Sequence, residues 1–125
     1  EAQAPIVATT VALFGLPREF GLTDLVMFLE LAGYYGKYDF VSIVMRARHA
    51  SPTQNIGYGF VNFREGGVAT LFMDQVARWG RGGSPEGRGG LRAELSRVQG
   101  FEACIDHLAA SVERRTIRSS FQLSV

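Results

Sequence analysis

The side chains best suited to binding chemistry lie in NIGYGFVNF, residues 55–63. Successive side chains of an extended strand point to opposite faces of a sheet, so Tyr58, Phe60 and Asn62 share one face. The other face carries the more aliphatic residues, such as Val61, and should therefore contact the hydrophobic core. Two rings held out on an open sheet face can stack flat ligands such as unpaired bases. The pattern predicts a stacking surface centred on Tyr58 and Phe60.

Few other residues suggest chemistry. Cys104 is the only cysteine, which excludes an internal disulfide and a cysteine-cluster metal site. His49 and His107 have no second histidine or cysteine at ligand spacing, so both are interpreted as surface or boundary residues. Cys104 is interpreted as a small packing residue, because no catalytic partner is indicated. The sequence therefore predicts no catalytic residue, no metal and no cofactor, and favours a binding domain over an enzyme.

Composition limits the class of protein. The chain has 125 residues, is 46% hydrophobic and carries a net charge of +1, which fits one globular domain without a strongly basic surface. It contains no run of eighteen apolar residues and no secretory leader, so no membrane partner is expected. The start at Glu1 suggests a domain taken from a longer protein. The single cysteine indicates a reducing compartment, so we expect an intracellular protein of the nucleus or cytoplasm.

Hydrophobic periodicity divides the chain into seven elements and a terminal segment. Thr23 is a plausible N-cap for the first helix, and Gly33 is a natural C-terminal stop. The apolar residues at helical spacing, which predict the buried faces, are Leu25, Phe28, Leu29 and Ala32 in the first helix and Val68, Leu71, Phe72, Val76 and Trp79 in the second. In order, we predict a strand at about 11–16, a helix in 22–33, a strand in 38–46, a strand at 56–63, a helix at 65–79, a glycine-rich connection at 80–90, a strand at 91–99 and an amphipathic helix at 100–115. The last residues, 116–125, are either a tail or a short docked strand.

The order strand, helix, strand, strand, helix, strand predicts an α+β, ferredoxin-like βαββαβ fold. In this fold a four-stranded antiparallel sheet has two helices on one face. Residues 9–99 would form this core, preceded by a flank at 1–8 and followed by the C-terminal helix. Gly57 and Gly59 are expected to let the two helices pack closely beneath the sheet. The helix-free face is where function should be sought.

Other residues are expected to extend that face. Phe14 on the first strand and Phe40 on the second would enlarge the ring platform, and Asn62 is a candidate for reading a base edge. Three basic residues, Arg46, Arg48 and Lys37, are candidates for phosphate contacts along the rim.

These residues resemble a known family. IGYGFVNF matches the RNP1 pattern of the RNA recognition motif (RRM) except at Ile56, where a basic residue is usual, and VALFGL at 11–16 occupies the place of RNP2. The chain is most similar to the C-terminal RRM of Mei2-like proteins. Three signatures occur in that family's order: GKYDF at 36–40, NIGYGFVNF at 55–63 and RVQGFEACIDH at 97–107.

The resemblance implies a single-stranded RNA-binding domain with an extra C-terminal helix, in a regulator of meiosis or development that acts post-transcriptionally. Tyr58 and Phe60 match the ring positions of RNP1. The usual ring position of RNP2 is Ala12, for which Phe14 would substitute in part, and Ser42 stands where the family commonly has a larger aromatic residue. We expect a monomer.

Three alternatives stay open at this stage. The C-terminal helix, with its apolar stripe at Phe101, Ile105, Leu108 and Val112, would bury the rings permanently or act as a gate displaced by RNA. A degenerate RRM would instead bind protein partners through the sheet face or this helix. A small acyl-phosphate hydrolase shares the fold class, but Arg18 lacks an anion-binding cradle around it.

Overall fold

The computed structural model describes residues 8–45, 55–79, 90–114 and 118–123, and within them eight elements follow one another. They are β1 (Thr10–Phe14), α1 (Leu22–Leu31), β2 (Tyr38–Met45), β3 (Asn55–Phe63), α2 (Gly66–Arg78), β4 (Arg92–Leu95), α3 (Phe101–Arg114) and β5 (Arg118–Leu123). The first six confirm the predicted βαββαβ order. No helix in the described ranges is long and apolar enough to cross a bilayer.

The strands form one antiparallel sheet in the order β4-β1-β3-β2-β5. The predicted four-stranded sheet is its central part, with β1 beside β3 as expected. The fifth strand decides between the two alternatives for the last residues: β5 pairs with β2 from Phe40↔Leu123 to Met45↔Arg118. This pairing satisfies backbone groups that β2 would otherwise expose as an edge strand.

The hydrophobic core lies between one face of the sheet and the helices α1 and α2. Alternate strand residues point into it, which confirms the assignment of faces from the sequence. The fully buried contributors are Val11, Leu13, Val41, Ile43, Val61 and Phe63 from the strands, with Leu25, Leu29, Ala69, Phe72 and Val76 from the helices.

Two local predictions in the helices are wrong. The N-cap of α1 is Gly21, and the Asp24 carboxylate accepts a hydrogen bond from the Gly21 backbone N–H at 2.9 Å, so Thr23 lies inside the first turn. Leu71 was expected on the buried face of α2 but is 50% exposed. The buried face runs instead through Ala69, Phe72 and Val76, whose spacing of three and four follows the helical period.

Candidate nucleic-acid interface

On the sheet face opposite α1 and α2, the side chains form three rows that run across the strands. The rows pass through Tyr58, Phe60 and Asn62 of β3, and in that order we call them the outermost, middle and innermost rows. The outermost row joins Arg92, Phe14 and Tyr58 through the pairs Phe14↔Arg92 and Phe14↔Tyr58. The middle row joins Glu94, Ala12, Phe60 and Ser42, and the innermost row joins Thr10, Asn62 and Phe40. The three rows differ in how far α3 covers them.

Three aromatic side chains form a continuous cluster in the outer two rows, and we call Phe14, Tyr58 and Phe60 the platform rings. The centroids of Phe14 and Tyr58 are 6.0 Å apart with a tilt of 35° between the ring planes. Tyr58 and Phe60 meet edge to face, at 5.8 Å and 88°. All three rings are half-buried, so each keeps accessible surface on the side away from the core.

The glycines between these rings are needed for two different reasons. Gly57 adopts a φ of +106°, a conformation that residues with a side chain rarely adopt. Gly59 has no space for a Cβ, which would lie 2.5 Å from the backbone oxygen of Ser42 on β2. The close neighbour is therefore the adjacent strand rather than the backbone of a helix beneath, which corrects the expectation from the sequence.

The innermost row is covered. Thr10, Asn62 and Phe40 are buried although they lie on the sheet face away from α1 and α2. The covering element is α3: the Cys104 sulfur lies 3.8 Å from the Thr10 hydroxyl oxygen. Phe40 therefore lies on the expected face but is not exposed to a ligand in this structure.

Asn62 is also buried, and its amide bonds within the protein. Its Oδ1 accepts hydrogen bonds from the hydroxyl groups of Thr9 and Thr10 at 2.7 and 2.6 Å. Its Nδ2 donates to the Asp39 carboxylate at 2.8 Å. The amide thus ties β1, β2 and β3 together, and in this structure its oxygen and nitrogen point at protein partners rather than at the open surface.

A second amide, which the sequence interpretation missed, anchors the start of α3. The Gln99 Oε1 accepts from the backbone N–H groups of Thr9 and Thr10 at 2.8 and 2.9 Å. Its Nε2 donates to the backbone oxygens of Thr10 and Ser96 at 2.9 and 2.7 Å. The next N–H, of Gly100, donates to the Thr10 hydroxyl at 2.8 Å. The only signal in the sequence was the place of Gln99 within RVQGFEACIDH, directly before a helix.

Between α3 and the sheet face lies a mainly apolar cleft of about 40 Å³. The His107 ring forms part of its wall and lies 6.2 Å from the Phe60 ring, centroid to centroid. Burial raises the pKa of the Cys104 thiol, which is consistent with a packing role for this residue. The lining consists of Thr10, Phe40, Ser42, Val44, Tyr58, Phe60, Val98, Cys104, His107 and Leu108.

The face that α3 presents differs from the predicted stripe. Cys104, which is not part of that stripe, is the buried position, whereas Phe101, Ile105 and Leu108 are only partly buried. Of these three, Leu108 lines the cleft, together with the exposed His107. The Val112 side chain lies outside the described residues. Helix α3 therefore covers the inner row fully and reaches the middle row at Phe60. The platform rings are neither wholly covered nor wholly free.

Of the three candidate phosphate ligands, the structure describes only Lys37, and this residue lies far from the platform rings. Lys37 is exposed in the turn before β2, where its backbone oxygen accepts from the Arg64 N–H at 3.0 Å. Since Tyr58 lies six residues from Arg64 along β3, Lys37 is about 20 Å from the outer row at roughly 3.3 Å per residue. Arg46, Arg48, His49 and residues 80–89 of the glycine-rich connection lie outside the described residues.

A cation that the sequence interpretation did not single out lies on the platform itself. The guanidinium of Arg92 is 4.6 Å from the centroid of the Phe14 ring, a cation–π geometry. Its Nε donates to the Glu94 carboxylate at 2.7 Å. The signal was the position of Arg92 on the short strand β4, but its proximity to Phe14 depends on the register between β4 and β1.

Metal chemistry finds no support in the described part of the chain, where no group of three or more histidine, cysteine, aspartate or glutamate side chains could hold an ion. The geometry instead offers accessible rings, one adjacent guanidinium and an apolar cleft. These are elements of stacking and packing rather than of acid–base or nucleophilic chemistry.

Comparison with known proteins identifies the fold through structure rather than sequence. No family model matches the chain, and no curated protein matches it in sequence. The structure of the Rna15 RRM with bound RNA (GU) matches it with a TM-score of 0.52 and 18% sequence identity, over 78% of this chain and 94% of that chain. With its βαββαβ order and antiparallel sheet, the chain has the ferredoxin-like fold of the RNA recognition motif.

Proposed function

We propose that this domain binds single-stranded RNA by stacking bases on Phe14, Tyr58 and Phe60. The observation that carries the proposal is the continuous cluster of these half-buried rings on the face away from α1 and α2. Unpaired bases stack on such rings whatever their sequence, because every base has a π face. The structural neighbour named above shares this fold and was solved with RNA bound.

The footprint is short. Helix α3 buries the inner row, so a strand of RNA has access to the outer row and to part of Phe60. At about 1–3 kcal/mol per stacked base, two or three bases supply roughly 2–9 kcal/mol before the cost of ordering the strand. Stacking alone therefore gives weak to moderate affinity, and contacts outside the rings contribute the remainder.

Electrostatic attraction is a small part of the proposed binding energy. The net charge is +1, and Arg92, the cation on the platform, already contacts Phe14 and Glu94. A base at Phe14 would stack beside the guanidinium or displace it from the ring. The Arg46 and Arg48 side chains remain proposed phosphate contacts. Each phosphate that the protein neutralises contributes only about −0.7 to the slope of the logarithm of the binding constant against the logarithm of the salt concentration. We therefore expect the affinity for RNA to fall only slightly as the salt concentration rises.

We further propose that the domain belongs to a Mei2-like regulator, acts inside the cell and is monomeric. The three signatures at 36–40, 55–63 and 97–107, in the family's order, support this assignment. The third signature contains Gln99 and Cys104, through which α3 is anchored and packed in this structure.

The test is a titration of a randomised single-stranded RNA pool into wild type and into Tyr58→Ala/Phe60→Ala, followed by fluorescence anisotropy. Loss of two stacking rings should weaken binding by at least about 30-fold, from roughly 1 kcal/mol or more per base. Tyr35→Ala is the matched control, because it removes an exposed tyrosine outside the platform. Equal binding by wild type and the double variant would refute the platform.

A second candidate is a protein-interaction module on the same face, which the apolar cleft beneath α3 favours. The same titration separates the two candidates. If neither wild type nor the variant binds the RNA pool, the protein-interaction candidate gains support. If wild type binds the RNA pool and the double variant does not, and the affinity falls with rising salt by the small slope expected above, RNA is the ligand.

A further inference from the structure

The outer surface of α1 carries exposed apolar side chains that the fold does not use. Met27 is 53% exposed and Leu31 is 78% exposed, and their spacing of four places them one turn apart on the same side of the helix. Tyr35, four residues further on, is 76% exposed. In the described part of the chain, the remaining large hydrophobic residues with this exposure are Leu71 and Leu95, on other elements.

Tyr35 and a carboxylate of α1 lie near the same buried group. Burial raises the pKa of Tyr38, and the neighbouring Glu30 and Tyr35 side chains raise it further. Glu30 and Tyr35 are thus both close to the Tyr38 phenol, although Tyr35 follows the helix in sequence. Exposed apolar side chains are therefore present both on α1 and in the turn that follows it.

The charge of this region differs from that of the whole chain. Helix α1 contains two carboxylates, Asp24 and Glu30, and no lysine or arginine, although the whole chain has a net charge of +1. Both carboxylates are exposed. The basic residues nearest in sequence, Arg18 and Lys37, lie before and after the helix. A charge of −2 on α1 beside exposed methionine and leucine is a pattern of an apolar contact with an anionic rim.

We propose that this α1 outer face, Met27, Leu31 and Tyr35 with the rim carboxylates Asp24 and Glu30, docks a basic amphipathic helix of a partner protein. The apolar stripe of such a helix would cover Leu31 and Met27, while its lysines or arginines pair with the rim. The carboxylates repel RNA phosphates, and a second copy of α1 would bring the same negative charges into contact. A cationic helix matches both features of the surface.

The site lies on the opposite side of the sheet from the platform rings, because α1 packs on the core face. A partner helix on α1 therefore leaves Phe14, Tyr58 and Phe60 accessible. The domain would hold RNA on one side and a protein on the other, and each contact can be tested without the other.

The probe is the capped peptide LKKLLKLLKKLLKL, titrated into isotopically labelled protein and followed by amide chemical shifts. Its counterpart with every lysine replaced by glutamate has the same apolar stripe and the opposite charge. We expect the lysine peptide to shift the amides of α1 and of the following turn, and the glutamate peptide to bind at least about tenfold more weakly.

Leu31→Ser removes the most exposed side chain of the face without touching the core, and should weaken the lysine peptide about tenfold. Leu71→Ser, at an exposed leucine of α2, is the matched control and should leave binding unchanged. Three results would each overturn the proposal: no binding of the lysine peptide, equal binding by Leu31→Ser and wild type, or shifts confined to the sheet face.

The RNA pool titrated into Leu31→Ser keeps the two proposals separate. Wild-type RNA affinity with weakened peptide binding supports the α1 face as an independent site. In the reciprocal experiment, loss of RNA binding in Tyr58→Ala/Phe60→Ala with unchanged peptide binding supports the same conclusion. Concentration-dependent self-association of wild type that Leu31→Ser abolishes would overturn the proposed partner and indicate a second copy of the chain.

Discussion

Replacing Gln99 by alanine tests whether α3 is a fixed cover of the inner row or a gate. The Gln99 amide makes four hydrogen bonds at 2.7–2.9 Å, to Thr9, Thr10 and Ser96, and so holds the segment that leads into α3 against the start of β1. Alanine removes all four and introduces no new charge. The variant therefore changes the anchor of α3 while leaving the platform rings in place.

The magnitude follows from the number of bonds and their burial. At a net value of about 0.5–1.5 kcal/mol each, four bonds would contribute roughly 2–6 kcal/mol. The site is only part-buried, so water can reach some of the released groups, and the Thr10 oxygen keeps a bond from the Ser96 N–H at 3.0 Å. We therefore expect Gln99→Ala to lower the free energy of unfolding by about 2–3 kcal/mol.

Urea denaturation measures the decrease in the free energy of unfolding. Amide hydrogen exchange shows where it arises, because the N–H groups of Thr9 and Thr10 lose their acceptor and should exchange faster. The control is Gln75→Ala. Gln75 accepts one hydrogen bond, from the Tyr34 hydroxyl at 2.6 Å, so this variant should lose about 0.5–1.5 kcal/mol.

Two outcomes would refute this reasoning. A loss from Gln99→Ala no greater than that from Gln75→Ala would show that the amide does not anchor α3. A rise of about tenfold or more in affinity for the RNA pool would show that α3 competes with RNA and acts as a gate. A fixed cover predicts an affinity within about threefold of wild type, because Phe14 and Tyr58 lie in the outermost row.

Four further predictions follow from single groups. Asn62→Ala should lower the free energy of unfolding by about 2–4 kcal/mol, measured by urea denaturation, because three hydrogen bonds are lost, with little effect on RNA affinity while the domain stays folded. Gly59→Ala should cost about 2–3 kcal/mol in the same assay, since the new Cβ would meet a backbone oxygen of β2. Because burial raises its pKa, Cys104 should react with a thiol reagent at about pH 8 far more slowly than a free cysteine, and at the free rate only after unfolding. Burial also raises the pKa values of Tyr34 and Tyr38, so their contribution to stability is present below about pH 10 and is lost as pH rises through the raised values, which urea denaturation above that pH should show as falling stability.

The order of the elements and the two faces of the sheet were predictable from the sequence. Alternation at period two assigns Val61 to the core and Tyr58 to the opposite face, and helical spacing assigns Leu25 and Leu29 to the core. These assignments succeed because they depend on neighbours a few residues apart. Leu71 is an exception, since two neighbouring apolar positions on α2 compete for one buried stripe.

Which residues of the candidate site are exposed was only partly predictable from the sequence. Phe14, Tyr58 and Phe60 form a connected cluster, but Phe40 and Asn62, assigned to the same face by the same rule, are buried beneath α3. Alternation gives the side of the sheet on which a residue lies. It carries no information about which distant element packs on that side.

The sequence by itself therefore determined the βαββαβ order, the core face and the positions of the platform rings, because periodicity and turn residues act locally. Only the tertiary structure decided that β5 extends the sheet, that Arg92 lies over Phe14 and that Gln99 anchors α3. The Gln99 contacts to Thr9 and Thr10 join residues 90 and 89 positions apart. Such contacts form only when the whole chain has folded, since no local pattern specifies the partner of a polar side chain across the sheet.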